Sequence, residues 1–115
     1  MTEKHLPILP TGQVVKWQKL EIPPVYANII GFGMSGFDIH LLFGEIGEST
    51  SSEVTAIPKA KVFLTPEQAS NTMKLLGVAL DDYVARYGPL RTAGLVKVAD
   101  IKAQIETQRA ASKKK

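Results

Sequence analysis

The stretch YANIIGFGMSGFDIHLLFGEI, residues 26 to 46, decides the fold because it contains two strand-like runs on either side of a short turn. Bulky apolar side chains recur at every second position in both runs, which is the period of a β-strand. We expect two antiparallel strands, 25–34 and 37–46, joined by Ser35 and Gly36 as a two-residue hairpin loop. This stretch is therefore expected to form a β-hairpin.

The two-residue loop fixes which residues are opposite each other, and residues that are directly opposite share a face of the sheet. Met34 is expected opposite Phe37, and Phe32 opposite Ile39. This face is almost wholly apolar, so it is the face that a helix should cover. Phe32, Phe37 and Phe43 are accordingly expected to point into the core.

The opposite face carries Gly31, Gly33 and Gly44, and we call it the glycine face. A glycine in a strand often marks the close approach of another backbone or a ligand. The positions beside these glycines are too apolar to be left in water. We expect the N-terminal arm, the C-terminal segment or a second copy of the chain to cover this face. The expected interaction residues are Ala27, Ile29, Gly31, Gly33, Asp38, His40, Leu42 and Gly44.

A third strand is expected over residues 54–64, after a flexible polar loop at 47–53. Pro58 lies within that strand, and because proline cannot donate to a ladder it predicts an edge position or a bulge. One further short strand, 14–17, is expected in a proline-punctuated N-terminal arm that ends near Pro24.

Capping signals at both of its ends predict one long helix. Thr65 and Gln68 form a T-x-x-Q capping box, with Pro66 at the first helical position. At the other end Gly88 supplies a left-handed cap and Pro89 cannot continue the helix. Apolar residues recur at spacings of three and four along one stripe, which is expected to face the core. The stripe consists of Ala69, Met73, Leu76, Leu80, Tyr83 and Tyr87. Leu75 and Val78 lie on the reverse side.

These elements predict an α+β fold, a three-stranded antiparallel meander with one long helix packed on one face. Residues 1–24 form an arm or edge strand, 25–88 the core domain, and 89–115 an extension with a short helix and a basic tail.

Composition narrows the functional classes. The chain has 115 residues, enough for one domain, and no cysteine, which excludes disulfides and thiolate chemistry. Lys and Arg number seven in residues 1–88 and seven in residues 89–115, against nine and two acids, so the net charge of +3 is concentrated at the C-terminal end. The last residues, QRAASKKK, predict a mobile basic tail. Its possible nucleic-acid contacts are Arg109, Lys113, Lys114 and Lys115.

Catalytic and metal-binding groups are sparse. Asp38 and His40 could form an acid and imidazole pair, but no third group can be placed beside them, and a polar pair at the sheet rim is the favoured interpretation. His5 has no partner at a metal-ligand spacing. The GFGMSG run at 31–36 leads into a strand and not a helix, so it is not a phosphate loop. We therefore expect no enzyme, no cofactor and no metal site.

No apolar run approaches the length of a membrane span, and the start of the chain lacks the features of a secretory signal. A cytoplasmic location is expected.

Several short motifs occur together in order: YAN at 26–28, S-x-x-D at 35–38, L-x-F-G at 41–44 and V-x-L-T-P-E-Q-A at 62–69. With these motifs, residues 25 to 88 resemble a small bacterial family catalogued as domain of unknown function 3467. Gly36 and Leu42 depart from the family pattern, where a proline and an acid are usual. The resemblance supports the strand, strand, strand and helix unit, implies no activity, and excludes the arm and the chain after Pro89.

The leading functional hypothesis is a non-catalytic module that associates with itself, as a dimer in the first instance, or with a protein partner through the glycine face. The alternative is a nucleic-acid-binding protein that uses the open sheet face for bases and the basic tail for phosphates. Two features weigh against the alternative: residues 1–88 are slightly acidic, and Phe32, Phe37 and Phe43 are expected in the core.

Overall fold

The structure, a computed structural model, describes residues 5 and 11–113, with side chains described as far as residue 111. It confirms the α+β class, the three-stranded antiparallel meander, the long helix and the short C-terminal helix. The chain forms two units, one ending at Ala79 and one beginning at Leu80, and each is described by itself. The elements are β1 (Ile29–Met34), β2 (Ile39–Ser49), β3 (Val54–Leu64), α1 (Pro66–Tyr87), a 3-10 turn (Thr92–Gly94) and α2 (Val98–Lys113).

The hairpin register differs from the predicted one by two residues. The strands lie in the order β1, β2, β3, and Met34 is opposite Ile39, so the hairpin loop has four residues, 35–38. The prediction of a two-residue loop is wrong. A shift by two residues leaves every side chain on the same face, whereas a shift by one would exchange the faces. The predicted division of β1 and β2 into two faces therefore holds.

The four-residue loop is held by Ser35 and Asp38. The Ser35 N–H donates to the Asp38 carbonyl oxygen at 2.9 Å. The Ser35 hydroxyl oxygen accepts the N–H groups of Phe37, at 3.1 Å, and Asp38, at 3.2 Å. Such side-chain bonds to nearby backbone stabilise turns at the expense of strand pairing. Asp38 thus lies in the loop and not on the glycine face. Phe37 is 89% exposed, so its predicted place in the core is wrong.

β1 begins four residues later than predicted, directly after Asn28. Its N–H donates to the Gly44 carbonyl oxygen at 3.0 Å. Its side-chain Oδ1 accepts the Ile46 N–H at 2.8 Å. The side chain takes over the pairing that the preceding backbone would have made, so β1 begins at Ile29 and Ala27 precedes the strand.

The third strand has the predicted bounds and contains a bulge. Phe43 is opposite Ala60 but Gly44 is opposite Pro58, which leaves Lys59 as the extra residue. Proline has no N–H to donate, and bulges are among the few sheet positions that tolerate it. β2 continues to Ser49, so the loop predicted at 47–53 shortens to four residues.

The long helix begins and ends where its capping signals indicate. The Thr65 hydroxyl oxygen accepts the Gln68 N–H at 3.1 Å, which satisfies one of the free donors of the first turn. Gly88 has a φ of +101° and its N–H donates to the Val84 carbonyl oxygen at 2.9 Å. A left-handed residue of this kind closes the helix after Tyr87.

Two terminal predictions are corrected. Residues 14–17 are not a strand, and no strand lies in the described part of the arm, residues 5 and 11–24. Residues 108–113, expected in a mobile tail, belong to α2, because alanine, glutamine and arginine are good helix formers. Lys114 and Lys115 lie outside the described residues.

Candidate functional site: two open faces of the sheet

One face of the sheet is apolar over the three rows that include β1, and we call these rows the Phe32 face; the next row on this side pairs Glu45 with Ile57. Three rows of opposed residues cross the three strands, and none of them contains an ionisable side chain. The rows are Ile30, Phe43 and Ala60; Phe32, Leu41 and Val62; and Met34, Ile39 and Leu64.

The Phe32 face is open to solvent in the single chain. The outer-strand residues Ile30, Phe32 and Met34 are 60%, 44% and 54% exposed. The three apolar residues of central strand β2 are half-buried, since neighbours flank them on both sides. Within the described residues no hydrophobic side chain is buried. The burial expected for this face is therefore absent among the described residues.

The apolar stripe of α1 is open as well. Met73, Leu76 and Tyr83 are each at least half exposed, and the helix has no buried residue. Tyr83 and Tyr87 lie with their ring centroids 5.0 Å apart, so this end of the stripe presents two adjacent rings. Leu75, assigned to the reverse side, is only half-exposed. The expected burial of the stripe is therefore absent from the single chain.

The glycine face also consists of three rows across the sheet. Its rows are Ile29, Gly44 and Pro58; Gly31, Leu42 and Lys61; and Gly33, His40 and Phe63. The register therefore adds Lys61 and Phe63 to the residues predicted for this face. The signal for both was available in the alternation of the third strand, but it could be used only with the register of β3 against β2.

Gly33 makes room for the imidazole of His40. A Cβ added at Gly33 would lie 2.7 Å from His40 Nε2, closer than side chains tolerate. The imidazole therefore leans across the β1 backbone. On its other side its centroid lies 5.0 Å from that of the Phe63 ring, with a tilt of 43° between the planes. Two rings thus lie side by side at the loop end of this face.

The other two glycines differ from Gly33. A Cβ at Gly44 would lie 2.9 Å from the Ile57 carbonyl oxygen, so this glycine is needed where the bulge brings two backbones together. Gly31 has nothing within 4 Å of such a Cβ and leaves an open position on the face. Gly44 allows two backbones to approach, Gly33 makes room for the His40 imidazole, and Gly31 leaves open space on the face.

The polar groups of this region have structural partners. The Ser35 hydroxyl donates to Asp38 Oδ1 at 3.2 Å, within the hairpin loop. Lys59 Nζ lies 3.7 Å from Glu45 Oε2 across β2 and β3. In residues 5 and 11–113 no three His, Asp or Glu side chains converge on a point that could hold a metal ion.

The arm and the C-terminal helix also expose apolar or basic residues. Trp17 Nε1 donates to the carbonyl oxygen of His5 at 3.2 Å, while Leu20 and Ile22 are 75% and 83% exposed. Arg109 is exposed on α2 and Lys113 is its last residue. None of the helices in the described chain is long and apolar enough to cross a membrane.

The fold and its open faces define a small α+β domain whose apolar surfaces are exposed among the described residues. The chain belongs to the family described as protein of unknown function (DUF3467), whose model matches residues 4–92. The match confirms the predicted family and extends beyond the predicted range of 25–88, so that the arm is part of the family domain. Comparisons with curated proteins and with solved structures gave no significant match.

The residues of the short motifs quoted above have structural roles in this chain. Asn28 ends a ladder, Ser35 and Asp38 hold the hairpin loop, and Thr65 caps α1. Gly44 admits the backbone at the bulge. Each of these residues therefore contributes to the backbone conformation.

Proposed function

We propose that this chain is a non-catalytic self-association module whose hydrophobic core is completed by a second copy of itself. The observation that carries the proposal is the exposure of the Phe32 face together with the α1 stripe, in a chain with no buried hydrophobic side chain among the described residues. Phenylalanine, isoleucine and leucine are among the residue types most often buried in folded proteins. A domain that leaves these apolar side chains exposed requires a second protein surface to bury them.

The size of these surfaces suits a dimer. The Phe32 face covers about six residues by three strands, which is roughly 20 Å by 14 Å, or about 300 Å² in projection. A stripe along the 22 residues of α1 is roughly 33 Å long and about 10 Å wide, a further 330 Å² or so. Each copy would bring about 600 Å², and two copies together about 1,200 Å², the lower end of stable interfaces.

The chemistry of these surfaces favours a second copy over an unrelated partner. Neither the Phe32 face nor the stripe contains an ionisable carboxylate, amine or imidazole. Interfaces of obligate homodimers are more apolar than those of transient complexes. In a two-fold dimer each surface is used twice, so the apolar surfaces of a single kind of chain are sufficient.

The proposal assigns no reaction to the chain. The Asp38 carboxylate is bonded within the hairpin loop and the His40 imidazole lies against Phe63, so the two groups have separate structural partners. A non-catalytic role is consistent with this separation.

Light scattering coupled to size-exclusion chromatography tests the proposal. The chain mass is 12.5 kDa, and we expect a species with twice that protein mass. A folded monomer would contradict the proposal, because the chain's own C-terminal half or arm would then cover the Phe32 face. Copurification of an unrelated protein in fixed ratio would contradict the choice of a second copy.

A further inference from the structure

The glycine face combines features that the Phe32 face lacks. Its loop end carries two neighbouring rings, His40 and Phe63, and an adjacent lysine, Lys61, one row away. The nine paired positions of this face include no Asp or Glu. The loop end of the glycine face is therefore both aromatic and basic.

We propose that the glycine face binds single-stranded nucleic acid, with a base stacked on Phe63 and Lys61 contacting a backbone phosphate. Proteins that bind single strands combine exposed aromatic rings with positive charge, because every base has a π face and every linkage carries a charge. The binding face is opposite the Phe32 face in the sheet, so a second copy on the Phe32 face leaves it open.

Exposure supports the role of Phe63. This ring is 59% exposed although it is a large apolar group. His40 leans on one side of it and fixes its place on the face. Substituting His40 would alter the ring's support, so Phe63 is the residue to test directly.

Open space beside the rings accommodates a base. Gly31 lies in the row next to that of Phe63 and carries no side chain, and nothing approaches within 4 Å of where its Cβ would be. Leu42, in the same row as Gly31, supplies an apolar floor and is 38% exposed. A flat ring can therefore extend from Phe63 over the centre of the sheet.

Lys61 and its neighbour Lys59 differ in whether an acidic residue lies near them. Lys59 lies within 3.7 Å of Glu45, whereas Lys61 lies on a face whose paired positions have no acid. A phosphate would meet no competing carboxylate there. These two lysines on one strand form a matched pair for the experiment.

Fluorescence anisotropy with a labelled oligothymidylate of about 16 nucleotides, and with a duplex of equal length, tests the proposal. We expect the single strand to bind more tightly than the duplex. Phe63→Ala should weaken binding of the single strand by roughly 5- to 150-fold, the range expected for one stacked base. Phe37→Ala, in the hairpin loop, is the matched control and should bind as the wild type does.

Salt titration separates the two contacts. Lys61→Gln should reduce the slope of log K against log salt by about 0.7, the value for one phosphate contact on a single strand. Phe63→Ala should leave that slope unchanged, and Lys59→Gln should behave as the wild type. Chromatographic mass should be the same for all four variants.

Four results would overturn the proposal. One is no binding of single strands by the wild type, and another is equal loss in Phe63→Ala and Phe37→Ala. A third is binding that survives Phe63→Ala but is abolished by truncation after Gln108, which would assign it to the basic C-terminal end. The fourth is a fall in oligomeric mass in Phe63→Ala, which would make the glycine face a contact between copies.

Discussion

Replacement of Phe32 by glutamate provides the sharpest test of the open apolar face. The Phe32 side chain is 44% exposed, and an aromatic side chain buries about 150 to 250 Å², so about 90 Å² of it remains to be buried. At about 25 cal/mol per Å² this burial contributes about 2 kcal/mol per copy. A two-fold dimer contains the position twice, which raises the loss to about 4 kcal/mol.

The glutamate adds a second cost, because a carboxylate at an apolar interface has no partner on the Phe32 face. We expect Phe32→Glu to weaken the dimer by at least about 1,000-fold, since each 1.4 kcal/mol is a factor of about ten. Sedimentation equilibrium over a range of protein concentrations measures this change directly.

Phe37→Glu is the matched control for that experiment. It introduces the same charge into the same hairpin, but at a loop position that is 89% exposed. It should retain the mass of the wild type. If Phe32→Glu and Phe37→Glu both remain folded dimers with wild-type dissociation constants, the reasoning about the Phe32 face is refuted.

Unfolding of Phe32→Glu would not end the test, because association and folding are coupled when the core is shared between chains. The milder variant Phe32→Ala covers that case. Its midpoint of thermal unfolding should be lower than that of the wild type, and both midpoints should rise with protein concentration. Midpoints independent of concentration would indicate a core made within one chain.

Three further substitutions test the local structure, each by urea unfolding followed by circular dichroism at fixed protein concentration. Gly44→Val should be strongly destabilising, because its Cβ would lie 2.9 Å from the Ile57 carbonyl oxygen; wild-type stability would show that the bulge can shift. Thr65→Ala should lose about 1 kcal/mol with the helix cap, and an unchanged midpoint would mean the cap is replaced. Asn28→Ala should lose about 1 kcal/mol with the bond to the Ile46 N–H, whereas a stabilised variant would contradict that role.

The local elements could be predicted from the sequence because their signals are local. The bounds of α1 follow from Thr65 at one end and Gly88 at the other, and the structure has both caps. Pro58 predicted a bulge or an edge because it lacks a donor, and the bulge occurs there. The family was likewise predicted from short motifs and is confirmed by the match to residues 4–92.

The length of the hairpin loop could not be predicted from the alternation of apolar residues in the two strands alone. Ser35 and Asp38 bond to each other and to the backbone between them, and this competition between side-chain bonds and the ladder widened the loop. The error moved Asp38 off the glycine face and Phe37 out of the expected core. It left the faces intact because the shift was an even number of residues.

Burial could not be predicted from the sequence, because an amphipathic pattern identifies the apolar face of an element and not the surface that packs against it. The stripe on α1 has the expected spacing, yet Met73 is 68% exposed. Phe63 was missed on the glycine face because its placement depends on the pairing of β3 with β2 beyond a bulge. Pairing across strands is nonlocal information that a single pattern does not contain.

We propose above that a second copy of the chain covers the Phe32 face. An isotope-filtered nuclear Overhauser experiment tests it most directly, in dimers refolded from equal amounts of carbon-13-labelled and unlabelled chains. We expect magnetisation transfer between the Phe32 ring protons and protons of the other chain. A spectrum in which every Overhauser contact of the Phe32 ring arises within its own chain would contradict it.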